Sequence, residues 1–223
     1  MVGAGAQAQC FPFFTYEGED LTRHENIPLS MLVKFQQHYG DEKITKWDIF
    51  HYVYAVLHHP EYRARYVANL RRELPRIPFI GEEAKTFHAL AEIGRKLAEL
   101  HVNYEDAPEY KLKRVENRDE KLNWRVEKMR PTKDKQAIIY NDFLTLDGIP
   151  PESFAYRLGN RSALEWVIDQ YQASTDKRSG ITNDPNREDE PDYIVKLIGK
   201  VITVSLETKK LISQLPPVDV HTT

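Results

Sequence analysis

The chain has 223 residues, 41% apolar and 29% charged, and its 31 Lys+Arg against 34 Asp+Glu give a formal net charge of −3. That size and balance fit one or two globular domains and exclude a collagen-like, low-complexity or uniformly basic chain. The single cysteine, Cys10, excludes an intrachain disulfide and fits a reducing cytoplasm, and no apolar run approaches the ~20 residues that span a bilayer.

Residues 1–10 are small and polar, lack the basic and apolar stretches of a signal peptide, and read as a remnant or a linker. The domain proper is expected over residues 11–215, with 216–223 a disordered end. A helical lobe is predicted over about 28–102. Leu29, Leu32, Val33 and Phe35 share one face of a short helix that stops at Gly40. Thr45 with Asp48 makes a capping signal for a helix burying Ile49, Phe50, Val53, Tyr54, Val56 and Leu57. Pro60 suits the first turn of the next helix, expected through Tyr62, Tyr66, Val67 and Leu70 to about Leu74-Pro75. A long helix from about Glu82 carries Phe87, Leu90, Ile93, Leu97 and Leu100 at helical spacing.

The period then changes, and a β zone is predicted over about 109–158. Leu122, Trp124 and Val126 alternate with Asn123, Arg125 and Glu127, the pattern of a half-buried strand. Residues 110–115 are its expected hairpin partner, turning at Asn117-Arg118-Asp119-Glu120. Residues 137–140, 143–146 and 154–158 are further candidate strands. A helical zone follows over about 161–214. Ser162 caps a helix with Leu164, Trp166, Val167, Ile168 and Tyr171; a polar loop spans 176–190; and Pro191 opens a last helix running through Leu211. Trp124 and Trp166, both in periodic apolar patterns, are expected in the core. Helices, antiparallel strands, then helices again argue for an α+β fold, with two lobes possible.

Catalytic patterns are missing. Gly3-Ala4-Gly5 follows no strand and opens no helix, so it cradles no phosphate. Asn183-Asp184-Pro185-Asn186 reads as Asx-turn chemistry. Asp192 and Glu207, candidates for a nuclease metal, fall on one predicted helix about 22 Å apart, too far to share an ion. His51, His58 and His59 lack the i,i+4 spacing of paired zinc ligands. Cys10 has no flanking base.

Charge is more informative. Residues 110–135 hold ten lysines and arginines against five carboxylates, a local balance of +5 in a chain of −3. Cations on strands and turns can follow a phosphate backbone or enter a groove, and a solvated hairpin face carries the same residues. Arg63, Arg65, Arg71, Arg72 and Arg76 form a second set, for which the dipole at a helix end is sufficient reason. The loop from Ser174 to Arg187 is rich in side chains that hydrogen-bond bases or phosphates and equally in turn formers.

Three stretches, in order, carry a family resemblance. Residues 47–63, beginning Trp47-Asp48-Ile49-Phe50-His51 and ending His58-His59-Pro60-Glu61-Tyr62-Arg63, continue to Leu74-Pro75-Arg76-Ile77-Pro78. Gly148-Ile149-Pro150 leads to Tyr156-Arg157-Leu158-Gly159. Residues 162–171 lead to Asp176-Lys177-Arg178-Ser179-Gly180-Ile181 and Asn183-Asp184-Pro185-Asn186. Together they resemble the C-terminal specificity domain of type ISP restriction–modification enzymes, over residues 11–215. The resemblance implies a target-recognition domain, not itself catalytic. It would belong to a longer polypeptide that also holds a nuclease, a helicase-like ATPase and an adenine-N6 methyltransferase. S-adenosylmethionine, ATP and magnesium would belong to those other parts. The implied partners are double-stranded DNA and the methyltransferase part, with no membrane.

The expected mechanism is major-groove readout by polar side chains, with lysines and arginines anchoring phosphates. The candidates are Lys111, Lys113, Arg114, Arg118, Asn123, Arg125, Lys128, Arg130, Lys177 and Arg178. The alternative is a protein-interaction module that docks a methyltransferase or another phage-defence protein and never touches DNA; the acidic total favours it.

Overall fold

A computed structural model describes residues 10–217. The chain is α+β, as its patterning predicts, and divides into two compact units: residues 1–98 with 214–223, and residues 99–213. The leading linker expected over 1–10 and the disordered end expected over 216–223 lie, apart from residues 10, 216 and 217, outside the described residues.

The first unit opens with a hairpin that the sequence reading missed, β1 (Phe14–Glu17) and β2 (Thr22–Glu25). Its turn places Leu21 and Gly18 at positive φ. Helix α1 (Leu29–Tyr39) ends at Gly40 in the left-handed conformation, as expected, but its buried residues are Phe35 and Tyr39 while Leu29 and Val33 are exposed. Helix α2 (Lys46–His58) begins with a complete capping box. The Thr45 hydroxyl accepts from the Asp48 amide at 3.2 Å, and the Asp48 carboxylate accepts from the Thr45 amide at 2.8 Å. Its buried face is Ile49, Tyr52, Ala55 and Val56.

Helix α3 is short, Pro60–Arg65, and gives way to turns rather than running to Leu74. Its start explains one of the three histidines. His59 Nδ1 accepts from the Glu61 amide, and Nε2 lies 2.9 Å from the Pro216 carbonyl. Helix α4 (Ala84–Val102) buries Phe87, Leu90, Ala91, Ile93, Gly94 and Leu97. The segment leading to it has no strand partner. Tyrosine hydroxyls take that role: Tyr62 donates to the Arg76 carbonyl, Tyr52 to the Pro78 carbonyl, and Tyr39 and Tyr52 both accept from the Ile80 amide. Buried backbone groups need such partners.

The second unit is built on a four-stranded antiparallel sheet, β3 (Lys113–Glu116), β4 (Arg130–Pro131), β5 (Ala137–Ile139) and β6 (Leu144–Asp147), in the order β3-β6-β5-β4. The expected hairpin between 110–115 and 122–126 does not form. β3 pairs with β6 instead, Lys113 opposite Asp147 and Glu116 opposite Leu144, and residues 122–126 pair with no strand. Residues 154–158 are not one strand either. A 3-10 turn over Pro151–Phe154 precedes a two-residue pairing of β7 (Arg157–Leu158) with β8 (Arg161–Ser162). Helix α5 (Ala163–Gln170) follows with its own capping box, Ser162 with Glu165. A small hairpin, β9 (Ser174–Thr175) and β10 (Thr182–Asn183), interrupts the polar loop before α6 (Tyr193–Ser213). Ile138, Leu144 and Leu146 of the sheet pack with Leu164, Val167 and Ile168 of α5 and Ile194, Leu197, Ile198 and Ile202 of α6. Trp124 packs at the edge of this core, as predicted, whereas Trp166 is 38% exposed, with Arg161 over its ring.

Candidate nucleic-acid interface

All ten candidate residues fall in the second unit. The sheet register fixes three of them, because residues directly opposite one another share a face. Leu144, Leu146 and Ile138 face the core, so Lys113 lies with Asp147 and Ala137 on the outer face. Arg130 lies on the same face, in a row with Ile139, Thr145 and Val115. Arg114 is in the inner row beside Leu146, on an edge strand, and lays its guanidinium over the Trp124 ring at 5.4 Å. Cations on both edge strands also discourage edge-to-edge pairing. Lys111 precedes β3, and Arg118 sits in the turn closed by the Glu120 amide and the Asn117 carbonyl.

Asn123 and Arg125 lie on the segment expected to be a strand, and Lys128 follows it. Trp124 and Val126 turn inward while Asn123, Arg125 and Glu127 stay exposed, but Leu122, expected on the inner side, is 67% exposed, so the alternation holds only in part and the ladder is absent. Five successive carbonyls are held by donors from elsewhere. Asn141 Nδ2 donates to those of Asn123 and Arg125, the Tyr140 hydroxyl to Trp124, Asn186 Nδ2 to Val126 and the Ala173 amide to Glu127. Asn186 also accepts from the Val126 amide at 2.8 Å, pairing like one residue of a neighbouring strand.

Lys177 and Arg178 occupy the tip of the β9–β10 hairpin. The Asp176 carboxylate accepts from the Arg178 and Ser179 amides and the Ser179 hydroxyl, which holds its pKa below the usual carboxylate value. Beyond the hairpin Asp184 forms the expected Asx turn, accepting from the Asn186 amide and side chain. Its other oxygen meets Arg125 Nη2 at 2.8 Å. The Asn186 bonds and then Arg125 keep Asp184 ionised below the ordinary carboxylate range.

Arg125 is therefore ion-paired. Among the described residues no carboxylate pairs with Lys111, Lys113, Arg114, Arg118, Lys128, Arg130, Lys177 or Arg178. Lys135, also in the basic stretch, is tied to Glu165 at 2.9 Å. The arrangement missed by sequence reasoning is the brace formed by Asp184, Asn186 and Asn141. Local turn chemistry is visible in sequence, but a bond between residues 60 positions apart leaves no spacing signal. Among the described residues no group of three His, Cys, Asp or Glu could hold a metal, and no helix is long and apolar enough to cross a membrane.

These features define an α+β domain with cations on sheet edges, on a braced extended segment and on a hairpin tip. Residues 1–197 match the Type ISP C-terminal specificity domain, and the chain belongs to that family. Three solved structures are similar. An ATP-dependent Type ISP restriction–modification enzyme, LlaBIII, bound to DNA, is 34% identical, with a TM-score of 0.81, over 94% of this chain and 14% of that one. A nuclease-deletion mutant of the Type ISP enzyme LlaGI, in complex with a DNA substrate mimic, is 40% identical, with a TM-score of 0.76, over 94% and 18%. A DrdV–DNA complex is 39% identical, with a TM-score of 0.81, over 95% and 22%. The chain thus spans 14–22% of the length of these proteins. No curated protein sequence matches it.

Proposed function

We propose that this chain is the target-recognition domain of a type ISP restriction–modification enzyme and reads a short sequence in double-stranded DNA. It has no catalytic role of its own. Nuclease, ATPase and methyltransferase chemistry, with S-adenosylmethionine, ATP and magnesium, belongs to other parts of a longer cytoplasmic polypeptide. The observation that carries the reading is the set of eight lysines and arginines, among the described residues without carboxylate partners, on strand edges, turns and extended segments of the second unit, in a chain of net charge −3. Lys111, Lys113, Arg114, Arg118, Lys128, Arg130, Lys177 and Arg178 anchor phosphates, and Asn123 and Arg125 face the bases.

The methyltransferase part is the second partner. The apolar groove of the first unit favours such a protein contact: a cavity of 670 Å³ lined by Phe11, Met31, Phe35, Phe50, Leu74 and Phe79. A salt titration of duplex binding by the whole chain separates DNA reading from a purely protein-docking role. If five of the eight cations engage phosphates, affinity falls about 500-fold between about 50 and 200 mM salt. Duplex binding that is absent, or flat with salt, overturns the proposal.

A further inference from the structure

Arg125 differs from the other candidate cations in three ways. It sits on the segment whose carbonyls from Asn123 to Glu127 are all tied down by side chains or by the Ala173 amide. It shares its charge with Asp184 at 2.8 Å. And Asp184 is itself aimed, because its second oxygen is occupied by the Asn186 amide and side chain at 3.1 and 2.7 Å. With Nη2 engaged by Asp184 and the side chain half exposed, the guanidinium is held at one end and still open to solvent.

That construction suits one ligand better than another. A phosphate approaching Arg125 meets the Asp184 carboxylate as well, so the net attraction is small and a cation serving as an anchor is wasted. A base edge carries no charge and is not repelled. A planar fork held in a fixed plane matches two adjacent acceptors, and in the major groove guanine alone presents such a pair, O6 and N7. Holding a reading side chain by its supporting contacts is also what geometric selectivity requires.

Resting on the DNA-reading function proposed above, we infer that Arg125 is a base-reading residue for a guanine in the recognised sequence, that Asp184 and Asn186 position its guanidinium, and that it does not serve as a phosphate anchor. The distinction is measurable, because a phosphate contact contributes about one unit to the salt slope and a base contact contributes none.

The test is a randomised-duplex selection with the whole chain, wild type against R125A, R125K and D184N, followed by salt titrations on the selected duplex. R125A is expected to lose preference at one G·C position, about ten- to a hundredfold, with the other positions retained and the salt slope unchanged. R125K keeps the charge but not the fork, and relaxes the same position. D184N frees the guanidinium from its partner; it weakens discrimination at that position and steepens the salt dependence by up to about one unit. If R125A weakens all duplexes equally and lowers the slope by about one, Arg125 is an anchor and the inference is wrong. It is equally wrong if R125A selects the wild-type sequence undiminished. A wild-type chain that selects no sequence overturns the DNA-reading function itself, and this inference with it.

Discussion

Substituting Gly94 with alanine sets two effects of known sign against each other. Gly94 lies in the interior of α4, where alanine would favour the helix by about 1 kcal/mol. Yet a Cβ there falls 1.9 Å from the His51 carbonyl oxygen of α2, 2.7 Å from its carbon and 3.2 Å from Ala55 Cβ. The obstacle is backbone, so no side chain can swing aside. The helices must part by about 1 Å to reach the 3.0 Å at which such contacts begin. A gap of that size forfeits about a quarter to a half of each dispersion well. Some fifty atom pairs, roughly what one buried leucine makes, would lose about 2–4 kcal/mol at ~0.15 kcal/mol each. The contacts at stake involve Tyr52, Ala55, Val56, Leu90 and Ala91, all buried. The clash therefore wins, and G94A is expected to destabilise the first unit by about 1–3 kcal/mol. Gly199 of α6 is the control. A Cβ there meets the Tyr110 oxygen at 3.1 Å, a shift of tenths of an ångström, so G199A is expected within about 1 kcal/mol of wild type. Urea unfolding followed at Trp47, with Trp124 and Trp166 replaced by phenylalanine, reports the first unit for G94A, and unfolding followed at Trp124 and Trp166, with Trp47 replaced, reports the second unit for G199A. A G94A protein as stable as its parent would refute the steric account.

Further outcomes follow from the brace and the caps. N186A removes both bonds to Val126 and one to Asp184, and is expected to cost about 1–3 kcal/mol locally. Exchange of the Val126 amide should accelerate about tenfold or more, and an unchanged rate would show that Asn186 does not hold the segment. Glu165 gives a pH dependence. The Ser162 amide and then Lys135 hold its carboxyl down to about 2, against an ordinary 4.5. A depressed folded value means stabilisation that is complete above the unfolded value and lost as pH falls from 4.5 toward 2. E165Q should therefore be less stable than wild type at neutral pH, with the gap closing over that window; a gap independent of pH would contradict the assignment.

The regular elements were legible in sequence where one local cause dominates. Gly40 ends α1, Thr45 with Asp48 starts α2, Ser162 with Glu165 starts α5, and apolar spacing marks α4, because caps and helical periods are set by residues three or four apart. The family, too, was readable from ordered framework stretches. What failed was pairing. Alternation at Leu122, Trp124 and Val126 predicts a strand with a neighbouring hairpin partner, but Leu122 is exposed and β3 pairs with β6 instead. The turns after Arg65 were likewise unmarked, since Tyr66 and Leu70 continue a helical spacing without forming the helix.

The misread segment is also the most informative part of the candidate site. Alternation records only that one side of an extended chain faces a core; it does not say what satisfies the backbone. In a ladder, main-chain groups of a partner strand would do so, and both strands would be locked into one pleat. Here the side chains of the adjacent Tyr140 and Asn141 and of the distant Asn186 do it, with the Ala173 amide on the last carbonyl. The side chains that hold the carbonyls are thereby distinct from the outward positions Asn123, Arg125 and Glu127, of which Asn123 also braces the segment through the Arg125 amide. Glu127 can change without disturbing the five carbonyl bonds, whereas Asn123 and Arg125 also hold the mount, Asn123 Oδ1 by accepting from the Arg125 amide at 2.9 Å and Arg125 by its pairing with Asp184. For the DNA-reading role proposed above, such a mount ties the position of Arg125 to residues distant in sequence rather than to one partner strand.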